Sequence, residues 1–215
     1  MSTAARRSHR GDEYQVAVAA YWVARLLWDH AIESVRVDAV ALPGEGTPLE
    51  VDDVVIGFQD GTWRFIQAKK NQTDHGAWRL TDAVLREELC KARDQLESKP
   101  TGRVELCSRT PFGELAKLIE DGADYPDYAA FAASAPTTLK KPLAGLAGIL
   151  DRDDETVLAL LRRIEIGPHH DYDGWENLTR SLLEPQVTDV ETALDAIDRL
   201  VRSQQSGLKA RGDAL

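Results

Sequence analysis

The chain has 215 residues, 43% hydrophobic and 29% charged, a make-up that supports a full core and excludes a disordered or low-complexity protein. Its formal net charge of -10 excludes a protein that coats nucleic acid by bulk attraction. No apolar run reaches the length of a membrane span, and the opening MSTAARRSHR lacks the apolar centre of a signal peptide. A cytoplasmic protein with no membrane partner is expected.

Residues 1–10 read as a flexible basic tail, and residues 11–29 as an amphipathic helix. Val16, Ala20, Val23 and Leu27 form one stripe, with Gln15, Ala19, Trp22 and Leu26 beside it at the same spacing. Gln15 is the polar member of a core-facing line and needs a partner there, either main chain or a functional group. Residues 34–42 alternate as a strand, and residues 43–48 form a loop rich in Gly and Pro.

The stretch EVDDVVIGFQDGTWRFIQAKK follows, and it reads as a β-hairpin: residues 51–58 and 63–68 are rich in β-branched and aromatic side chains and flank an Asp60-Gly61 turn. Polar groups interrupt the pattern at the two ends that a hairpin folds together. Asp52 and Asp53 start the first strand, while Gln67 and Lys69 share one face at the end of the second. A carboxylate, an amide and an ammonium in one patch of sheet are costly to bury unless paired or bound to an ion. The patch is therefore either a charge pair at a sheet end or an active site.

Register decides which aspartate joins it. A three-residue loop Gln59-Asp60-Gly61, with Gly61 left-handed, pairs Phe58 with Thr62 and Asp53 with Gln67. A two-residue loop Asp60-Gly61 instead sets Asp52 opposite Lys69, because a one-residue slip swaps the faces. The three-residue loop is favoured by the third polar residue before Asp-Gly.

Residues 71–77, with His75, read as a polar connection. A helix is expected from Thr81 or Asp82, carried by Val84, Leu85, Leu89, Ala92 and Leu96, and ending before Pro100. Residues 103–108 read as a strand leading into Arg109-Thr110-Pro111, a helix start with Pro in the first turn. Beyond Glu120 the strand signals fade, Pro126, Pro136 and Pro142 punctuate short helical pieces, and residues 154–163 and 190–203 read as helices. Residues 161–166 are a candidate for one more strand. The expected fold class is α/β, a mixed sheet with helices on its faces, divided into a core over 11–120 and a mostly helical subdomain over 121–215 packed on it.

Cys90 and Cys107 are expected to be small core residues, and the five histidines, His169 and His170 among them, give no zinc-enzyme spacing. Residues 61–110 carry 10 basic and 7 acidic side chains and are net positive, unlike residues 1–60 and 111–215, which suits a local phosphate-contacting surface. Arg162, Arg163, Lys140 and Lys141 read as solvated surface.

With Asp52-Asp53 on one strand and Gln67-Ala68-Lys69 on the next, the hairpin resembles the core of the PD-(D/E)XK nuclease superfamily. Adding Gly11-Asp12-Glu13-Tyr14-Gln15, the pattern over the first half of the chain is similar to the nuclease domain of the bacterial CD-NTase-associated (CBASS) anti-phage effectors. That resemblance implies a restriction-endonuclease-like sheet and a Mg²⁺-dependent or Mn²⁺-dependent endonuclease acting on double-stranded DNA. It places Asp53, Asp52 and Gln67 at the metal, Lys69 at the attacking water or the reacting phosphate, and Gln15 beside them. It also implies a sensing or oligomerising domain or protein partner, and a homo-oligomer when active. The glutamine in place of the commoner glutamate removes one charge from the site. An inactive nuclease-like binding or assembly module is the alternative that this departure leaves open.

Overall fold

Alternation along the hairpin sends Val54, Ile56 and Ile66 to one side of a sheet and Val55 and Phe65 to the other, and helices cover both sides. The computed structural model describes residues 3–69, 76–203 and 208–209. In chain order they form α1 (Thr3–Leu26), β1 (Ile32–Val37), β2 (Val54–Phe58), β3 (Trp63–Lys69), α2 (Ala83–Ser98), β4 (Gly102–Ser108), α3 (Gly113–Gly122), α4 (Tyr128–Ser134), α5 (Thr137–Leu150), α6 (Asp154–Leu161), β5 (Ile164–Ile166), α7 (Tyr172–Leu183), α8 (Val190–Ser203) and β6 (Leu208–Lys209). The sheet order is β5-β4-β3-β2-β1-β6. Strands β6, β1, β2 and β3 run antiparallel in succession, and β3, β4 and β5 run parallel. This is the mixed α/β sheet expected from the sequence.

The hairpin register is the one that the three-residue loop predicts. Val54 pairs with Ile66 and Gly57 with Trp63, the Phe58 N–H donates to the Thr62 carbonyl at 3.0 Å, and Gly61 has φ +80°. Asp60 fixes the turn by accepting from the Thr62 N–H at 2.9 Å and the Thr62 hydroxyl at 2.6 Å. Because Gly61 occupies the left-handed region, Gly61→Ala should cost about 1 kcal/mol of stability. Urea unfolding checks this, and an unchanged midpoint would remove the turn as a determinant of register.

Several boundaries differ from the sequence reading. The helix expected from residue 11 starts at Thr3, since Ala4, Ala5, Arg6 and Arg7 are strong helix formers and the helix carries no proline to offset them, Gly11 being its one glycine; residues 3–10, expected as a flexible tail, are helical. Strand β1 stops at Val37 because Asp38 turns the chain with φ 51°. Helix α3 begins two residues after Pro111. Residues 71–75 of the expected connection, His75 included, lie outside the described residues.

The division at residue 120 gives way to a different arrangement. The second half is shared between the two faces: α3, α4, α5 and α6 join α2 in one core, and α7 and α8 join α1 in the other. Strand β5 makes this possible. It adds to the sheet edge beside β4 and carries the chain from one layer of helices to the other. Arg163, read as solvated surface, is half-buried and donates to the carbonyls of Leu96, Lys99 and Gly102, so it closes the C-terminal end of α2.

Candidate functional site

Strand β3 is the middle of the construction, with β2 antiparallel on one side and β4 parallel on the other. Its C-terminal end, Gln67 to Lys69, is therefore held from both edges. One residue before β2, Asp53 continues the hairpin register and lies opposite Gln67. Its carboxylate accepts from the Gln67 side-chain amide and, through the same Oδ2, from the Ala68 N–H at 2.8 Å. Lys69 sits two residues beyond Gln67 on the same face and pairs with Glu88 of α2 at 3.2 Å. Asp53, Gln67 and Lys69 are thus brought together on the face that packs against α2.

The main chain of Asp53 is pinned as firmly as its side chain. Its carbonyl accepts from the Asp38 N–H at 3.2 Å and from Gln15 Nε2 at 3.0 Å. Gln15 also donates to Asp38 Oδ1 at 2.6 Å, so α1, the end of β1 and the start of β2 are tied at one point. Gln15 therefore meets the site through the peptide of Asp53, the main-chain role that its core-facing position left open. Asp52 is exposed, with its carbonyl accepting from Ala39 N at 3.1 Å.

Burial raises the Asp53 pKa from 3.8 to about 6; the Ala68 N–H and Lys69 oppose the rise, and the charges of Asp52 and Glu88 add to it. Asp52 is raised too, by partial burial first and by Asp38 among its neighbours. Burial is the leading cause in both cases, and a further positive charge beside Asp53 would favour its ionised form. A folded-state value above the unfolded one means that Asp53 contributes most to stability below about pH 4, and that this contribution is lost as pH rises through about 6. Without divalent ions, Asp53→Asn should therefore match the wild type near pH 4 and exceed it in stability above pH 6, by on the order of 2 kcal/mol. Thermal unfolding across that range checks the sign, and an Asn variant less stable at pH 7 would contradict it.

Two residues that the sequence reading did not single out shape the site from α2. Gln95, fully buried, accepts from the Glu50 N–H at 2.9 Å and the Val51 N–H at 3.3 Å, which fixes the approach to Asp52 and Asp53. Glu88 is 5% exposed, and its Oε1 pairs with Lys69 and with Lys91, both at 3.2 Å. The signal was present in the helical spacing. Glu88 lies three residues after Leu85 and four before Ala92, on the buried stripe, whereas Val84, read as part of that stripe, is 49% exposed. Trp78, which donates to Ser108 Oγ at 2.9 Å, and Phe112, stacked on it, wall the neighbouring crevice.

The patch has oxygen atoms of the kind that a divalent ion would take. With Oδ2 of Asp53 occupied, Oδ1 is the carboxylate oxygen left for an ion among the described residues, and Gln67 keeps its Oε1 after its nitrogen is donated. Mg²⁺ takes oxygen ligands and commonly uses one or two carboxylates, with water and phosphate completing its shell. No group of three His, Cys, Asp or Glu side chains arranged for a metal occurs among the described residues. Such an ion would rest on a mixed set of carboxylate, amide and peptide oxygens.

No family model matches the sequence, and no curated protein matches it. Among solved structures, the chain is similar to the Cap4 SAVED/CARF-domain containing receptor of Acinetobacter baumannii, with a TM-score of 0.57 and 13% identity over 92% of this chain and 43% of the receptor. It is likewise similar to the Cap4 SAVED/CARF-domain containing receptor of Moraxella osloensis, with a TM-score of 0.57 and 11% identity over 93% of this chain and 44% of that one. The Acinetobacter receptor has also been solved with the cyclic trinucleotides 2'3'3'-cAAA and 3'3'3'-cAAA. The chain spans less than half the length of these receptors, and at such identity the likeness is one of fold.

Proposed function

We propose that this chain is a metal-dependent phosphodiesterase that cleaves double-stranded DNA, with a restriction-endonuclease-like fold, and that it serves as the nuclease part of an anti-phage effector. The observation that carries this reading is the hairpin register, which sets Asp53 opposite Gln67 and on one face with Lys69. Those three residue types in that order are the ones the PD-(D/E)XK resemblance requires. The similarity in fold to Cap4 receptors, over less than half of their length, is what a domain of a larger effector would give.

Asp53 Oδ1 and Gln67 Oε1 would hold Mg²⁺ or Mn²⁺, with Asp52 contributing charge from the exposed side. A divalent ion there supplies polarisation of the phosphate and a lowered pKa for the attacking water. Asp53 is kept in place by the Ala68 N–H and by the bonds to its own carbonyl, so little reorganisation is needed when substrate arrives. Lys69 lies within reach of the same face. Its ammonium orients the attacking water and offsets charge developing on the phosphate oxygens. Efficient cutting by a chain with net charge -10 would draw on oligomerisation or on a sensing partner that raises the local concentration of sites.

A second reading has an observation of its own, since the similar receptor binds cyclic trinucleotides. On that reading the chain is a sensing or assembly module without catalysis. Isothermal titration of the protein with Mn²⁺ and, separately, with a cyclic triadenylate separates the two. The nuclease reading predicts binding of the metal and none of the trinucleotide. Binding of the trinucleotide without the metal would favour the sensing module.

A further inference from the structure

Helix α2 buries Leu85, Glu88, Leu89, Ala92, Gln95 and Leu96. The Gln95 oxygen accepts from two peptide N–H groups, while its Nε2 is buried without a hydrogen-bond partner among the described residues. Glu88 is not explained in full. Its Oε1 is shared by Lys69 and Lys91, but its Oε2 is buried with no hydrogen-bond partner among the described residues. An unpaired buried carboxylate oxygen costs more than any neutral group in its place, and surface lysines alone do not call for one. It lines, with Gln67, Lys69 and Trp78, a crevice of about 10 Å³, roughly the room for one water by that measure.

We propose that Glu88 is the second acidic ligand of the ion held by Asp53, and that its bond to Lys69 is a resting contact which the ion displaces. The inference rests on the metal-dependent reading above and extends it to a residue outside the hairpin. It accounts for the neutral Gln67: the negative charge missing from the strand is restored from the helix, so that two carboxylates still face the ion, the number that suits Mg²⁺. It also gives Lys69 two states. Paired with Glu88, the ammonium is held off the substrate. Once the ion takes over as the counter-charge of Glu88, Lys69 is free to turn to the phosphate and its water. Lys91, 3.2 Å from the same Oε1, remains beside Glu88 throughout.

The test follows Mn²⁺ binding to the full chain by electron paramagnetic resonance of the free ion, without DNA, in the wild type, Glu88→Gln and the double variant Glu88→Gln/Gln67→Glu. Loss of the Glu88 charge should weaken binding by at least about tenfold, and the glutamate introduced at position 67 should recover most of the loss. Should Glu88→Gln not fold, Glu88→Asp replaces it, and a drop of several-fold is expected from pulling the carboxylate back by one methylene. Equal affinity in wild type and variant would overturn the role of Glu88 while leaving the Asp53 site intact. Absence of Mn²⁺ binding in the wild type would overturn both.

Discussion

Lys69→Ala is expected to abolish metal-dependent cleavage of plasmid DNA, a loss of at least about a thousandfold, while the protein stays folded and still binds Mn²⁺. Lys69 is at the very end of β3, its side chain 34% exposed, and Glu88 is its ion-pair partner. Lys69 belongs to neither core, the buried core residues of this strand being Phe65 and Ile66. Glu88 keeps Lys91 as a counter-charge. On the proposed mechanism, what disappears is a cation that would offset the negative charge growing during phosphoryl transfer, an effect confined to the transition state. Undiminished cleavage by the pure, folded variant would remove Lys69 from the mechanism.

The second large effect separates two adjacent aspartates. Asp53→Asn should lose both Mn²⁺ binding and cleavage, by more than the roughly 10–100-fold that outer-shell partners of a metal cost, whereas Asp52→Asn should keep a substantial share of each. Asp53 is opposite Gln67 and receives hydrogen bonds from it and from Ala68. Asp52 is exposed. An Asn at position 53 still accepts from the Ala68 N–H, so the fold is retained and only the charge is lost. The reverse outcome, with Asp52→Asn dead and Asp53→Asn active, would mean that the ion is held from the exposed side.

Much of this was legible from local chemistry. The turn Gln59-Asp60-Gly61 names its own conformation, because Gly61 alone there adopts a left-handed φ without strain, and the register of the hairpin follows from it. Strand β5 was legible within the run 161–166, though neither its exact bounds nor its consequence. Which face a helix covers is decided by where the chain crosses the sheet, and a three-residue strand carries too little pattern to announce a crossing. The same limit applies to the site. Asp53, Gln67 and Lys69 are close in sequence and are joined by a turn, whereas Glu88 and Gln95 reach them from a helix whose rotation is fixed only by packing of Leu85, Leu89 and Leu96. Gln15 was visible as an odd polar residue on an apolar line. Its partners, the Asp53 carbonyl and the Asp38 side chain, depend on the turn at Asp38, which no residue pattern in 34–42 marks.

Hydrolysis itself remains the most direct test of the proposal. Supercoiled plasmid incubated with the purified chain at high protein concentration and low salt, with Mg²⁺ in one arm and EDTA in the other, should be nicked and linearised only in the Mg²⁺ arm. The Lys69→Ala protein should leave it supercoiled in both. Plasmid left intact by the wild type in Mg²⁺ and in Mn²⁺, across that concentration range, would contradict the account and return the Asp53, Gln67 and Lys69 patch to a charge cluster at the end of a sheet.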